Sequence, residues 1–328
     1  MDSKPVILSG MQPTGQLHLG NYEGALKNWV SLQDKYRMYL CIVDWHALTS
    51  DFNDTAGLQE RIFQTACDYI AAGLDPEKCS IFLQSEVKEH AELHLLLSMI
   101  IPTSWLERVP SYKEKVETLG LDSYGFLGYP LLQAADILLY KADFVPVGKD
   151  QLPHIELTRE VARRFNGLYG EILPEPQALL AKFPAVPGID GRKMSKSYGN
   201  DIRLADTDED TTKKIRKMLT DPKKIYKGDP GTPEVCPVFG LHQIYNSNWE
   251  TIRDGCRAGT LGCVDCKMQL AATLNTALKP LRERRKELEN NKKYVINILE
   301  KGADEARQKA SATMAEIRKA MNLMRPVV

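Results

Sequence analysis

Apolar residues occur as short unbroken runs and longer periodic stretches in the first half of the chain, and almost only as periodic stretches in the second. Four runs read as buried strands: Val6-Ile7-Leu8, Tyr39-Leu40-Cys41-Ile42-Val43, Ser80-Ile81-Phe82-Leu83 and Phe144-Val145-Pro146-Val147. Between them Tyr22 to Leu32, Leu58 to Ala72 and His90 to Ile101 repeat apolar positions at helical spacing. This alternation, up to about Gly170, predicts a parallel sheet with crossover helices. Ligands on such a sheet bind beyond the carboxyl ends of the strands. Ser9-Gly10-Met11-Gln12, Asp44-Trp45-His46 and Gly148-Lys149-Asp150-Gln151 fall there.

From Pro174 to Gly191 prolines and glycines break every period (Pro174, Pro176, Pro184, Pro187, Gly188), which reads as a linker ending in a mobile loop. Beyond it Asp208 to Leu219, Cys266 to Leu288 and Lys292 to Met324 carry helical periodicity, the last interrupted at Gly302. The expected organisation is an α/β domain over residues 1–200, a smaller α-helical domain over 201–295, and a C-terminal helix over 296–328 that returns to the first domain.

Composition adds limits. The 328 residues exceed one typical domain, and 43% hydrophobic with 26% charged residues is ordinary globular usage. Met1 to Lys4 are polar and no stretch approaches bilayer length, so a soluble, cytoplasmic protein without a membrane partner is expected. Forty-three basic and forty-three acidic residues cancel, which confines any nucleic-acid contact to local patches. Between Thr211 and Lys227 seven cations (Lys213, Lys214, Arg216, Lys217, Lys223, Lys224, Lys227) stand against Asp221 alone. They read either as a solvated helix face or as a contact with phosphate backbone. The run Arg282-Glu283-Arg284-Arg285-Lys286, interleaved with Glu287 and Glu289, reads as a solvated face.

Three constellations carry chemistry. Thr14-Gly15-Gln16-Leu17-His18-Leu19-Gly20-Asn21 follows the first strand with a glycine turn, an imidazole and a helix N-terminus, which suits phosphate. Lys193-Met194-Ser195-Lys196-Ser197 brings two ammonium groups and two hydroxyls on a loop flanked by Gly188, Gly191 and Gly199, which suits a cation clamp on polyphosphate. Together they read as an ATP site. In Tyr129-Pro130-Leu131-Leu132-Gln133-Ala134-Ala135-Asp136, helical spacing aligns Tyr129, Gln133 and Asp136 on one face. A carboxylate in so apolar a helix needs a partner. An indole N–H, which only donates, is one candidate, and an internal pairing or cap is the plainer one.

The seven cysteines argue against a disulfide framework, and Cys41, Cys67 and Cys79 lie in apolar elements as core thiols. Cys236, Cys256, Cys263 and Cys266 differ, with spacing C-x19-C-x6-C-x2-C in a glycine-rich stretch. Four thiols suffice to close a metal or cluster site. Zinc ribbons pair two C-x2-C knuckles, whereas only Cys263 and Cys266 form one here, and Pro237 follows Cys236 as at cluster-ligating cysteines.

With its two phosphate motifs in this order the chain resembles the class I aminoacyl-tRNA synthetases, whose signatures are HIGH and KMSKS. His18-Leu19-Gly20-Asn21 is a variant of the first, with Asn21 in place of the terminal His, and Lys193 to Ser197 is an unaltered copy of the second. Over nearly the full chain the resemblance is to the tryptophanyl and tyrosyl members, closest to the bacterial tryptophanyl group. It runs through Ser9 to Gly15, Val43-Asp44-Trp45-His46, Val145 to Gln151 and His154-Ile155-Glu156-Leu157-Thr158-Arg159.

The resemblance implies a Rossmann-like catalytic domain and an α-helical anticodon-binding domain. It implies activation of L-tryptophan by ATP with Mg²⁺, transfer to tRNA(Trp), and a homodimer. Carried over residue by residue, Asp136 would accept the indole N–H, Tyr129 and Gln151 would hold the α-amino group, and Gln12 would meet the carboxylate. Leu8, Val43, His46 and Gln133 would complete that pocket. His18, Asn21, Lys193, Lys196 and Ser197 would be catalytic, with Gln12, Thr14, Gly20, Lys115, Gly148, Met194 and Ser195 about ATP and Asp150 on its ribose. A branch of this group carries a 4Fe-4S cluster near the anticodon, which implies that role for Cys236, Cys256, Cys263 and Cys266, with zinc as the alternative.

Departures keep other readings open. Gln133 stands where many tryptophanyl enzymes have Met and matches the tyrosyl pattern, which leaves tyrosine as a substrate. Leu8 argues against it, because tyrosyl enzymes usually place a hydroxyl near the end of the first strand to meet the phenol. Lys149 replaces an acid frequent in this loop, with no consequence assigned. A simple nucleotidyltransferase would lack the KMSKS copy, and a tRNA-binding paralogue without activity would have lost a signature or Asp136.

Overall fold

The computed structural model of the protein describes residues 4–180 and 186–323. Five parallel strands, β1 (Val6–Met11), β2 (Arg37–Ile42), β3 (Cys79–Leu83), β4 (Phe144–Val147) and β5 (Gln177–Leu180), form one sheet in the order β3-β2-β1-β4-β5. β1 is followed by α1 (Leu19–Asn21), which runs through the π-helical Tyr22–Leu26 into α2 (Lys27–Leu32). Next come α3 (Asp44–Asp51), α4 (Leu58–Ala71), α5 (Glu89–Ser98), α6 (Thr103–Glu107), α7 (Pro110–Leu119) and α8 (Tyr124–Leu139). After β4 comes α9 (Leu152–Tyr169), and the chain beyond β5 carries α10 (Asp208–Lys217), α11 (Pro237–Tyr245), α12 (Trp249–Arg257), α13 (Cys263–Asn290) and α14 (Lys292–Ala320).

The unbroken apolar runs are explained by burial on both faces of the sheet. Ile7, Met38, Leu40 and Ile42 pack toward Trp29, Tyr69 and the α13 residues Leu274 and Leu278. Their neighbours Leu8, Tyr39 and Cys41 point the other way, toward Leu131 and Leu138 of α8 and Phe165 of α9. The order of the strands reverses between β1 and β4, where an open parallel sheet leaves a crevice.

Two expectations change. The linker between Pro174 and Gly191 holds a fifth strand, β5, at the edge of the sheet after Pro176. A four-residue strand gives no period to read, and its flanking prolines mask it. Pro184 and Met324 lie outside the described residues. The last helix is not interrupted at Gly302, because α14 runs through it. A Cβ at Gly302 would stand 2.0 Å from the Ile81 carbonyl oxygen. The glycine therefore serves close approach of α14 to the backbone of edge strand β3, not a break. Among the described residues no helix is long and apolar enough to cross a membrane.

Candidate active site

A cleft of about 320 Å³ opens at the reversal point, lined by Leu8, Gln12, Val43, His46, Gln133, Asp136, Gly148 and Gln151. A second, wider cleft of about 630 Å³ adjoins it, lined by Gln12, Thr14, His18, Asn21, Lys115, Ser195, Lys196 and Ser197. Met11 and Gln12, at the carboxyl end of β1, line both, so two compartments meet at one strand end. Most of the residues singled out in the sequence are thus brought together. Tyr129, Gly20, Met194, Lys193 and Asp150 line neither cleft.

The wider cleft is framed by a closed turn. His18 caps α1: its Nδ1 accepts from the Asn21 amide at 3.3 Å while Asn21 Oδ1 accepts from the His18 amide at 3.1 Å. A Cβ at Gly20 would lie 2.8 Å from the imidazole, so glycine lets the ring fold back over the turn. Burial, with Lys196 adding to it, lowers the His18 pKa to about 4, which keeps the ring neutral near pH 7.

Opposite it, Lys196 Nζ donates to the Gly15 carbonyl at 2.8 Å and approaches Thr14 Oγ1 at 3.5 Å, so the second motif rests on the first. Burial lowers its pKa to about 8. Met194 is buried in the core and pins the loop, and Asn200 Oδ1 accepts from the Ser195 amide at 2.7 Å. Lys193 is exposed, and so is Asp150, whose carboxylate accepts from Gln151 Nε2 at 3.1 Å.

In the narrower cleft Asp136 is buried with three donors. His46 Nε2 reaches Oδ2 at 2.8 Å, His90 Nδ1 reaches Oδ1 at 2.7 Å, and Gln84 Nε2 bridges both oxygens at 2.9 and 3.0 Å. The ring nitrogens must donate, since a carboxylate only accepts. Burial would raise the Asp136 pKa, but His90 and His46 outweigh it and hold the carboxyl well below its usual range. The second nitrogen of His90 meets the buried Tyr140 hydroxyl at 2.8 Å. Tyr129 starts a separate chain: its hydroxyl meets Ser111 Oγ at 2.7 Å, which meets His154 Nε2 at 2.8 Å.

Sequence reasoning missed Gln84, His90, Ser111 and Tyr140. His90 carried one signal, an imidazole inside an apolar periodic stretch.

The cysteines of the helical part also meet. Cys236, Cys256, Cys263 and Cys266, each half-buried, line one narrow cavity with Asp221 and Lys224. Burial, with the other three cysteines adding to it, pushes the Cys266 thiol up to about 12. Among the described residues no group of three or more His, Cys, Asp or Glu side chains, the four cysteines included, is placed to hold a metal ion. Lys224 leaves the basic patch read from the sequence. It is buried and donates to the Leu261 carbonyl at 2.9 Å and the Cys256 carbonyl at 3.3 Å.

A family model described as tRNA synthetases class I (W and Y) matches residues 2–279. A tryptophan–tRNA ligase of Thermotoga maritima is 50% identical, with 97% of this chain and 99% of that protein covered. One from Aquifex aeolicus is 45% identical at the same coverage. Among solved structures, a tryptophanyl-tRNA synthetase from Campylobacter jejuni, complexed with ADP and tryptophan, superposes with a TM-score of 0.89 at 37% identity, covering 97% of this chain and 99% of that one.

Proposed function

Because the chain belongs to the tRNA synthetases class I (W and Y), with near full-length likeness to tryptophan–tRNA ligases, we propose that it charges tRNA(Trp) with L-tryptophan at the expense of ATP. The observation that carries the choice of amino acid is Asp136, an anionic acceptor in the wall of a cleft whose other lining residues carry no acid. His90, His46 and Gln84 together make four contacts, two on each oxygen, so an indole N–H would take the place of one of the two contacts Gln84 makes. Tyrosine, the alternative, would meet Leu8 where a phenol needs a polar partner.

The reaction runs in two steps. The tryptophan carboxylate attacks the α-phosphorus of ATP, pyrophosphate leaves with Mg²⁺, and a ribose hydroxyl of tRNA then takes the acyl group while AMP leaves. The chain supplies position and charge rather than a nucleophile. Asn21 and the neutral His18 face phosphate oxygens as part of the α1 turn, and Lys196 exchanges the Gly15 carbonyl for polyphosphate. Lys193 joins it from the exposed loop, with Ser195, Ser197, Thr14 and Lys115 around the nucleotide and Asp150 on the ribose. Gln151, in the narrower cleft, would hold the amino group with Tyr129, whose hydroxyl bonds Ser111 and lies outside the cleft lining, and Gln12, common to both clefts, meets the carboxylate that must reach phosphorus. Tryptophan-dependent ATP–pyrophosphate exchange is the test, and exchange driven better by tyrosine would overturn it.

The four cysteines fit a 4Fe-4S cluster, with zinc as the alternative. The donor set is soft, and the absence of a Cβ at Gly231, which would stand 2.7 Å from Cys256 Sγ, lets that sulfur sit against the backbone. Four thiols lining one shared cavity are what supports that reading. Such a cluster would organise the loops, since neither step moves electrons. Oxygen-free protein should carry about four iron and four sulfide per chain. One zinc would support the alternative, and neither metal would make these packing thiols.

A homodimer and a cytoplasmic setting complete the proposal. Exposed Leu95 on α5, Met99 just after it and Tyr124 on α8, which packs against α5, offer an apolar face for a second copy. Sedimentation at increasing concentration tests it.

A further inference from the structure

Between α10 and α11 the chain makes a loop that turns its apolar side chains outward. Ile225 is 74% and Tyr226 73% exposed, flanked by the exposed Lys223 and Lys227. Exposed apolar tips are common on slack loops, but this one is fastened at every step. Asp229 Oδ2 accepts from the amides of Ile225 at 3.1 Å and Tyr226 at 2.7 Å. Asp221 accepts from the amides of Lys223 at 2.9 Å and Thr232 at 2.6 Å.

The loop is also joined to the cysteine-bearing segment. Buried Lys224 donates to the carbonyls of Cys256 and Leu261, and the Gly231 amide donates to the Cys256 carbonyl at 2.9 Å. At Gly259 a Cβ would stand 2.2 Å from the Gly228 carbonyl oxygen, so backbone lies on backbone. A ring held out by that many bonds, with no core to fill, is presented rather than stray.

The charges name what it is presented to. Lys213 and Lys214 are engaged by Glu209 and Asp206, whereas Lys223 and Lys227 have no ion pair among the described residues. An aromatic face between two free ammonium groups suits an unpaired nucleobase flanked by its phosphates. A protein partner would call for a broader apolar core inside a polar rim.

We propose that the 223–229 loop is an RNA-base platform, on which Tyr226 stacks an unpaired base of the tRNA while Lys223 and Lys227 hold the adjoining phosphates. The proposal rests on the tRNA-charging reading and adds the residues that would touch the RNA outside the two clefts. It also gives the cysteine site a task, since whatever orders Cys256 to Cys263 orders the platform beneath Tyr226.

The test uses the full chain as purified. Tyr226→Ala should weaken binding of tRNA(Trp), and of an RNA stem-loop carrying its anticodon arm, by roughly tenfold or more. Tyr226→Phe, which keeps the ring face, should stay within about threefold of the parent. Tyr226→Trp should show indole fluorescence quenched by the stem-loop, a signal that loss of structure would not produce. Removing Lys223 or Lys227 should each reduce the salt slope of tRNA binding by about 0.7 to 0.9.

Tryptophan-dependent pyrophosphate exchange should remain unchanged in all five variants. Failure of that exchange in the parent protein would sink the activity reading itself. Normal exchange with unaltered RNA affinity in Tyr226→Ala would overturn the platform alone. So would a change confined to oligomeric state, which would make the loop a protein interface.

Discussion

Asp136→Asn separates substrate recognition from scaffolding. The native carboxylate takes His90 and Gln84 on one oxygen and His46 and Gln84 on the other. In the variant one oxygen becomes an NH₂ group that must face a donor, and the charge behind the remaining acceptor is gone. A hydrogen bond to a charged acceptor contributes about 1.5–3 kcal/mol, so losing the one to indole should lower kcat/KM for tryptophan roughly 10- to 150-fold. The control is a tryptophan analogue with sulfur in place of the indole N–H, which never made that bond. Its kcat/KM in pyrophosphate exchange should change by less than about threefold. Equal losses for both substrates would show that Asp136 acts only through the shape of the pocket, and no loss for either would remove it from the site.

Three further outcomes follow from buried charge and close packing. Lys196, lowered to about 8, loses its proton as pH rises through that value, so kcat/KM for ATP should fall on the basic side of pH 8. Lys196→Arg should be slower but lack that limb, and a limb that persists would belong to another group. Arg285→Met leaves the fully buried Asp68 carboxylate without its 2.6 Å partner and should cost about 3–5 kcal/mol in urea unfolding, a loss below about 1 kcal/mol refuting the pairing. Gly302→Ala would stabilise an open helix, yet against the Ile81 carbonyl it should lower Tm by about 2 °C or more, and a rise would contradict the packing of α14 on β3.

The sheet was legible because its strands are buried on both faces, which forces unbroken apolar runs at Val6, Tyr39, Ser80 and Phe144. β5 was not, since four residues after Pro176 offer no period. That the two motifs of the wider cleft belong together was legible as well, because each is a local chain segment whose turn and charges are contiguous. The partners of Asp136 come from α3, from the turn after β3 and from α5, and nothing local in His46, Gln84 and His90 reports that they converge. Spacing gives the face of a helix, not the element across from it.

The run from Arg282 to Lys286 shows how such a reading fails. As a charge run it belongs on a solvated face, yet Arg282 bonds Asp208 and Thr211 on α10, and Arg285 is buried against Asp68 on α4. Asp68 in turn accepts from the Leu17 amide at 2.9 Å, one residue before His18. At its other end the same helix starts with Cys263 and Cys266. Its 28 residues span about 42 Å, so one element reaches from the cysteine cavity to the turn that frames the wider cleft. A helix of alternating signs is usually solvated. Here the pattern hides two pairings across separate elements, and the buried one fixes the segment that carries His18.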